Sequence, residues 1–121
     1  VLRFMNKNIH AYLDYPVGLG LIVMPYIFGI GATNPVALWL SVFTGFAALG
    51  LTFLTDHHLG VIRILPYKVH LAVDFLVGVA FVLAPTLFGL AGLDAAYYWT
   101  LGATVLLVVG LDSTDAKLKT A

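Results

Sequence analysis

The chain predicts an all-α integral membrane four-helix bundle, built from two tandem transmembrane helical hairpins related by a pseudo-twofold axis along the membrane normal. Three observations predict it. The composition is 61% hydrophobic and 10% charged with a mean hydropathy of +1.00, against roughly 45–50% apolar and about 25% charged in soluble domains. Four apolar stretches, residues 9–30, 35–54, 69–90 and 95–111, approach the roughly 20 residues that a helix needs to cross a bilayer core. The second half also repeats the first at a spacing of 60 residues without a gap: His10, Asp14, Gly18, Pro25, Phe28, Gly29, Trp39 and Thr44 recur as His70, Asp74, Gly78, Pro85, Phe88, Gly89, Trp99 and Thr104. A fixed internal period marks two copies of one supersecondary unit. The chain is therefore one membrane domain, 1–121, made of repeats 1–60 and 61–121.

The elements follow in order. Residues 1–9 are a largely apolar approach with Arg3 and Lys7, suited to a segment lying in the interface. Span one carries Asp14, Pro16 and Pro25 and is built like span three, so it is read as a resident helix and not as a cleavable leader. The turn Gly31-Ala32-Thr33-Asn34 leads into span two, and Ala91-Gly92-Leu93-Asp94 leads from span three to span four. Each turn ends on a residue that caps helices. A second approach, 61–69, contains Arg63, Pro66 and Lys68, with Pro66 placed to open span three. The polar tail after Gly110 is expected to fray. Continuous apolar runs exclude alternating barrel strands.

Charge fixes the expected orientation. All six cations, Arg3, Lys7, Arg63, Lys68, Lys117 and Lys119, fall on one side of the spans, and the two turns carry none. The positive-inside rule then places both termini and the central connection in the cytoplasm, and an even number of spans per repeat gives both copies the same orientation. The six acids are all Asp, the formal net charge is zero and cysteine is absent. Disulfides and thiolate metal sites are excluded, and nothing gives a nucleic-acid footprint.

At 100° per residue, His10, Asp14, Val17, Gly18, Pro25, Phe28 and Gly29 share one face of about 120°. Gly18, Gly29, Gly78 and Gly89, with Pro25 and Pro85, are accordingly read as helix-packing residues, because glycine lets backbones approach and an Asp avoids hydrocarbon. The prolines free backbone carbonyls that a Thr or water would satisfy. Trp39, Trp99, Arg3 and Arg63 are read as interface anchors.

Asp14-Tyr15-Pro16-Val17-Gly18, Met24-Pro25-Tyr26 followed by Phe28-Gly29, and Trp39, then Asp74-Phe75-Leu76-Val77-Gly78, Ala84-Pro85-Thr86 followed by Phe88-Gly89, and Trp99, together resemble the SPW repeat family of small bacterial integral membrane proteins. The resemblance covers nearly the whole chain, with the Ser-Pro-Trp element represented by its proline alone. It implies a two-repeat, four-helix fold and location in the bacterial cytoplasmic (inner) membrane. It implies no reaction.

The most chemical feature is His-x-x-x-Asp, present as His10 with Asp14 and His70 with Asp74. Residues at i and i+4 share a helix face. One reading makes the pairs pins between the hairpins, each Asp accepting from its own His or from a cation among Arg3, Arg63, Lys7 and Lys68. A second brings the pairs together as a transition-metal site, or uses the histidines as haem ligands. A third uses the Asp pair for protons or substrate. The loop pair His57-His58 after Asp56 is a further metal candidate, set against a solvated loop. Aromatic side chains also suit contact with pigment or lipid.

No catalytic constellation, phosphate loop or dinucleotide fingerprint occurs, so the chain is not expected to be an enzyme. The expected function is a small accessory or assembly subunit, packed against a larger membrane complex, respiratory or photosynthetic, or against itself, with membrane lipids as further partners. A metal- or haem-binding membrane protein and a small-molecule or ion transporter are the alternatives.

Overall fold

The computed structural model describes residues 7–55, 60–62 and 64–120, with side chains within these from 12 to 111. It is all-helical: α1 (Lys7–Phe28), α2 (Pro35–Leu54), α3 (Tyr67–Phe88) and α4 (Gly92–Thr120). Three of these, α2, α3 and the Gly92–Leu111 part of α4, are long and apolar enough to cross a membrane, and α1 carries the apolar stretch Tyr12–Phe28. Helical backbone runs on past Gly110, where fraying is expected, to Thr120. The α1 and α3 boundaries fall on matching positions of the 60-residue period.

A shared stop signal explains that match. The Ile30 amide donates to the Pro25 carbonyl (2.8 Å) and the Leu90 amide to the Pro85 carbonyl (2.9 Å), while Gly29 and Gly89 adopt left-handed backbone with φ of 68° and 67°. This is the glycine-terminated helix end in which the residue beyond the glycine bonds back onto the last turn. Ile30 and Leu90 then turn inward as buried core residues. The packing role expected of Gly29 and Gly89 is therefore corrected. Both are exposed, and a Cβ on either would meet nothing within 4 Å. Phe28, expected on the inner face, is also exposed.

Helices pack closely within each hairpin and sparsely between hairpins, where α2 meets α3 and α1 meets α4. Gly18 and Gly78 make the close approaches. A Cβ on Gly45 would stand 2.8 Å from the Gly18 carbonyl oxygen, and one on Gly102 would stand 2.8 Å from that of Gly78. Small residues of this kind let backbones touch where lipid supplies no hydrophobic drive for association. The partner glycines are not repeat mates, because position 105 is Val and position 42 is Val. The second hairpin reaches the same crossing one helical turn earlier along its outgoing helix.

At the turn end, Asn34 caps α2 by accepting from the Val36 amide (3.1 Å) and donates through Nδ2 to the Phe88 carbonyl (3.0 Å). Asp94, which was expected to end a turn before span four, lies inside the first turn of α4 and accepts from the Gly31 amide (3.0 Å). Below these ties lies the apolar core, Leu21, Ile30, Ala37, Phe81, Ala84, Leu90 and Tyr98. Phe81 meets Tyr98 edge-on at 4.8 Å, a favourable aromatic arrangement.

Replacing Gly102 by Ala forces Val82 and the Gly78 backbone apart and is expected to lower stability by about 1–3 kcal/mol. Gly50→Ala, where a Cβ has open space, is expected to raise it by up to about 1 kcal/mol. Reversible unfolding of both variants in detergent micelles checks the contrast.

Candidate functional site

The site begins with two carbonyls and a ring. Pro25 has no amide proton, so the Leu21 carbonyl four residues earlier has no helical donor. Ser41 supplies one: its Oγ donates to that carbonyl at 2.6 Å and lies 2.5 Å from the Tyr97 hydroxyl. A serine hydroxyl has a single proton, so Tyr97 donates to Ser41 and Ser41 to Leu21. The Tyr98 hydroxyl donates to the Ala37 carbonyl. These bonds join α4 to α2 and α1. The donor expected for a freed carbonyl was a Thr or water, and here it is a Ser of the neighbouring helix.

The second polar layer lies nearer the central connection. Pro66 opens α3, as expected, with the Val69 amide returning to its carbonyl (3.0 Å). The first turn so formed buries His70, whose side chain is 1% exposed. Its Nε2 lies 3.0 Å from Asp14 Oδ2 on α1 and 3.1 Å from Asp74 Oδ2 on its own helix. Its Nδ1 lies 2.7 Å from Thr55 Oγ1 at the end of α2. The Thr55 hydroxyl donates to the Leu51 carbonyl at 2.5 Å, so its one proton is committed and Nδ1 must be the donor to it. Nε2, facing two carboxylate oxygens, is a donor as well. Both ring nitrogens therefore carry protons, and the group is an imidazolium between two carboxylates.

The cluster is strongly polar, because carboxylates of the two repeats converge on one buried ring nitrogen. Tyr67 lies over the ring at 6.0 Å with 28° between planes. Asp14 and Asp74 are 15% and 17% exposed, because each also faces a cavity of about 220 Å³ bounded by all four helices. Its walls are apolar, formed by Val17, Ala48, Val73, Val77, Val105 and Val108, with Thr44 and Thr104 as further lining, and Asp14, His70 and Asp74 at one end.

Of the expected site residues, His70, Asp14 and Asp74 come together, with the two repeats meeting across one imidazole. The side chain of His10 lies outside the described residues, as do Arg3, Arg63, Asp56, His57 and His58. The cavity beside His70, about 220 Å³, is smaller than the roughly 300–1,000 Å³ of ordinary ligand pockets and does not suit a haem. Pro25 and Pro85 are buried. Trp39 and Trp99 are about half exposed near the turn end.

Reading the repeat missed Ser41, Thr55, Gly45 and Gly102. Their positions in the other copy hold Leu101, Asp115, Val105 and Val42, so a search for matched residues passes over them. The signal for Ser41 was physical: a proline within a span requires a donor for the carbonyl four residues back. No family model, curated protein or solved structure matches the chain.

Ser41→Ala leaves the Leu21 carbonyl and the Tyr97 hydroxyl without this partner and is expected to cost about 1–3 kcal/mol. Thr104→Val, whose hydroxyl only bonds back to Thr100 within α4 (2.7 Å), is expected to cost less than about 0.5 kcal/mol. Unfolding midpoints in one detergent read the difference.

Proposed function

We propose that this chain is an integral membrane binding protein that holds a small, largely apolar cation between its two hairpins. One observation carries the reading: the apolar cavity of about 220 Å³ has its charged groups gathered at one end, where two carboxylates stand against one imidazole. An ammonium group pairs with Asp14 and Asp74, while the apolar remainder fills the valine-lined space. Volume permits it, since an apolar cavity of roughly 150 Å³ already admits benzene.

The pseudo-twofold arrangement and the cytoplasmic termini belong to the same proposal. Exchange of the hairpins turns the α2–α3 contact into the α4–α1 contact, and both occur. Both diagonals, α1 to α3 through Asp14 and His70 and α2 to α4 through Ser41 and Tyr97, are bridged. Membership of the SPW repeat family, in a bacterial inner membrane, is supported by the repeated Pro-x-x-Phe-Gly stop and the paired Asp residues. A subunit role is a second reading, favoured by the exposed α2 ridge Trp39, Phe43, Phe46 and Phe53. Native mass spectrometry after gentle solubilisation tests it: a fixed larger stoichiometry supports that role, and a lone chain counts against it.

The cation reading is tested with benzylamine, benzyl alcohol and toluene on the purified chain in lipid nanodiscs by ligand-detected NMR. Benzylamine is expected to bind saturably and about tenfold or more tighter than toluene, equivalent to about 1.4 kcal/mol. Asp14→Asn should remove that preference. Ala48→Phe should fill the cavity and abolish binding of all three. Unchanged binding in a folded Ala48→Phe protein sinks the reading.

A further inference from the structure

The donor set around His70 supports a second and different occupant. We infer that Asp14, His70 and Asp74 form a site for a divalent transition-metal ion of the zinc class, bound through Nε2 and one oxygen from each carboxylate, with the fourth position facing the cavity. The inference goes beyond the organic-cation reading and rests on it only in sharing the same charged end of the cavity.

Geometry is the first argument. Ligand atoms around a tetrahedral zinc ion with bonds of about 2.0–2.1 Å stand about 3.3 Å apart. Nε2 lies 3.0 and 3.1 Å from the two oxygens, and the three ligand atoms all fall within 4.8 Å of one another. The two nitrogen–oxygen distances need to open by only a few tenths of an ångström, and the two oxygens, already within 4.8 Å of each other, need to settle toward the same separation to complete a coordination shell. An imidazole among the donors favours zinc, copper, iron or nickel over magnesium, calcium and manganese, which suit oxygen donors.

The surroundings of the ring are the second argument. A metal-ligating histidine characteristically donates its other ring N–H to a fixed acceptor, which sets the tautomer and aims the free nitrogen. Thr55 is that acceptor at 2.7 Å, and its own proton is tied to the Leu51 carbonyl. His70 is 1% exposed, so its ring has little freedom to turn away.

Charge is the third argument. Binding displaces the Nε2 proton, which leaves to solvent, and a dication then meets a neutral imidazole and two carboxylates. The exchange raises the charge of the cluster by one, set against two carboxylates. No other bond changes. Because Asp14 belongs to one repeat and His70 and Asp74 to the other, the ion would also join the hairpins.

Cobalt(II) is the probe, titrated into the purified chain in nanodiscs and read by its visible d–d bands. A His57→Asn/His58→Asn background removes the loop imidazoles. One saturable ion per chain is expected, with the intense bands of low coordination number, displacement by zinc and release of about one proton in weak buffer. Asp14→Asn and Asp74→Asn, which preserve shape, should each weaken binding by at least about tenfold. Thr55→Val keeps all three ligands and should weaken it by about 10–100-fold, as loss of an orienting partner does. Circular dichroism confirms that each variant is helical, and Thr55→Val keeps the test decisive if an Asn variant fails to fold.

Benzylamine separates the two readings. Mutual competition between cobalt and benzylamine supports both. Cobalt binding that is lost in Asp14→Asn, with no benzylamine binding in the parent protein, supports the metal and overturns the organic cation. Cobalt uptake that is unsaturable, equal in Asp14→Asn, or indifferent to bound benzylamine overturns the metal site.

Discussion

Each hairpin holds itself together through close glycine-lined helix contact, but the two hairpins touch sparsely, so their mutual placement depends on the few polar bonds between them. The His70 ring is the central one. Its Nε2 is shared by Asp14 and Asp74 at 3.0 and 3.1 Å, which draws a helix of each repeat to one point. In lipid such a bond matters because the alternative is a charge facing hydrocarbon. Thr55 steadies the ring from α2, so three of the four helices converge there. The cavity exists because this layer and the Ser41–Tyr97 layer hold the helices at two levels, while the side chains between them are mostly Val and Ala and do not fill the space.

Proline and glycine shape the helices so that these layers fall where they do. Pro25 frees the Leu21 carbonyl and, four residues before Gly29, also receives the amide of Ile30 at the helix end. One residue thus creates the need that Ser41 meets and helps define the stop that turns Ile30 into the core. Pro85 repeats the stop, but position 101 is Leu, so the serine bridge has no counterpart in the second copy. Duplication supplied the frame, and divergence between the copies supplied most of the contacts across the centre.

That asymmetry bears on chemistry. Two identical hairpins would offer two equivalent carboxylates and two equivalent imidazoles around an axis. Here the described centre is lopsided, one imidazole fixed by a Thr whose repeat mate is Asp115. With that ring fixed, both carboxylates also line the cavity. Two carboxylates and an imidazole at one end of an apolar chamber are the physical basis of both cation readings. They differ in whether the cation keeps its distance as an ammonium group or displaces a proton and bonds to nitrogen.

The sequence by itself determined the helical class and the duplication, and it singled out His10, Asp14, His70 and Asp74, of which Asp14, His70 and Asp74 meet in the structure. Each of these is a matter of composition or of spacing along one helix, and both the apolar run and the i,i+4 pair are local. Gly18, Gly78, Pro25 and Pro85, read as packing residues, are buried, because helical periodicity reports a face. It misjudged Gly29 and Gly89 because a glycine at a helix end and one at a helix crossing look alike in a linear pattern, and only backbone conformation separates them. Tertiary structure alone decided that one histidine serves both carboxylates, that Ser41 answers Pro25, that Asn34 and Asp94 reach across to the opposite hairpin, and that a cavity remains between the layers. These contacts join residues as far as 63 positions apart, and their geometry depends on how two helical surfaces settle against each other, a property of packing that no periodicity within one helix encodes.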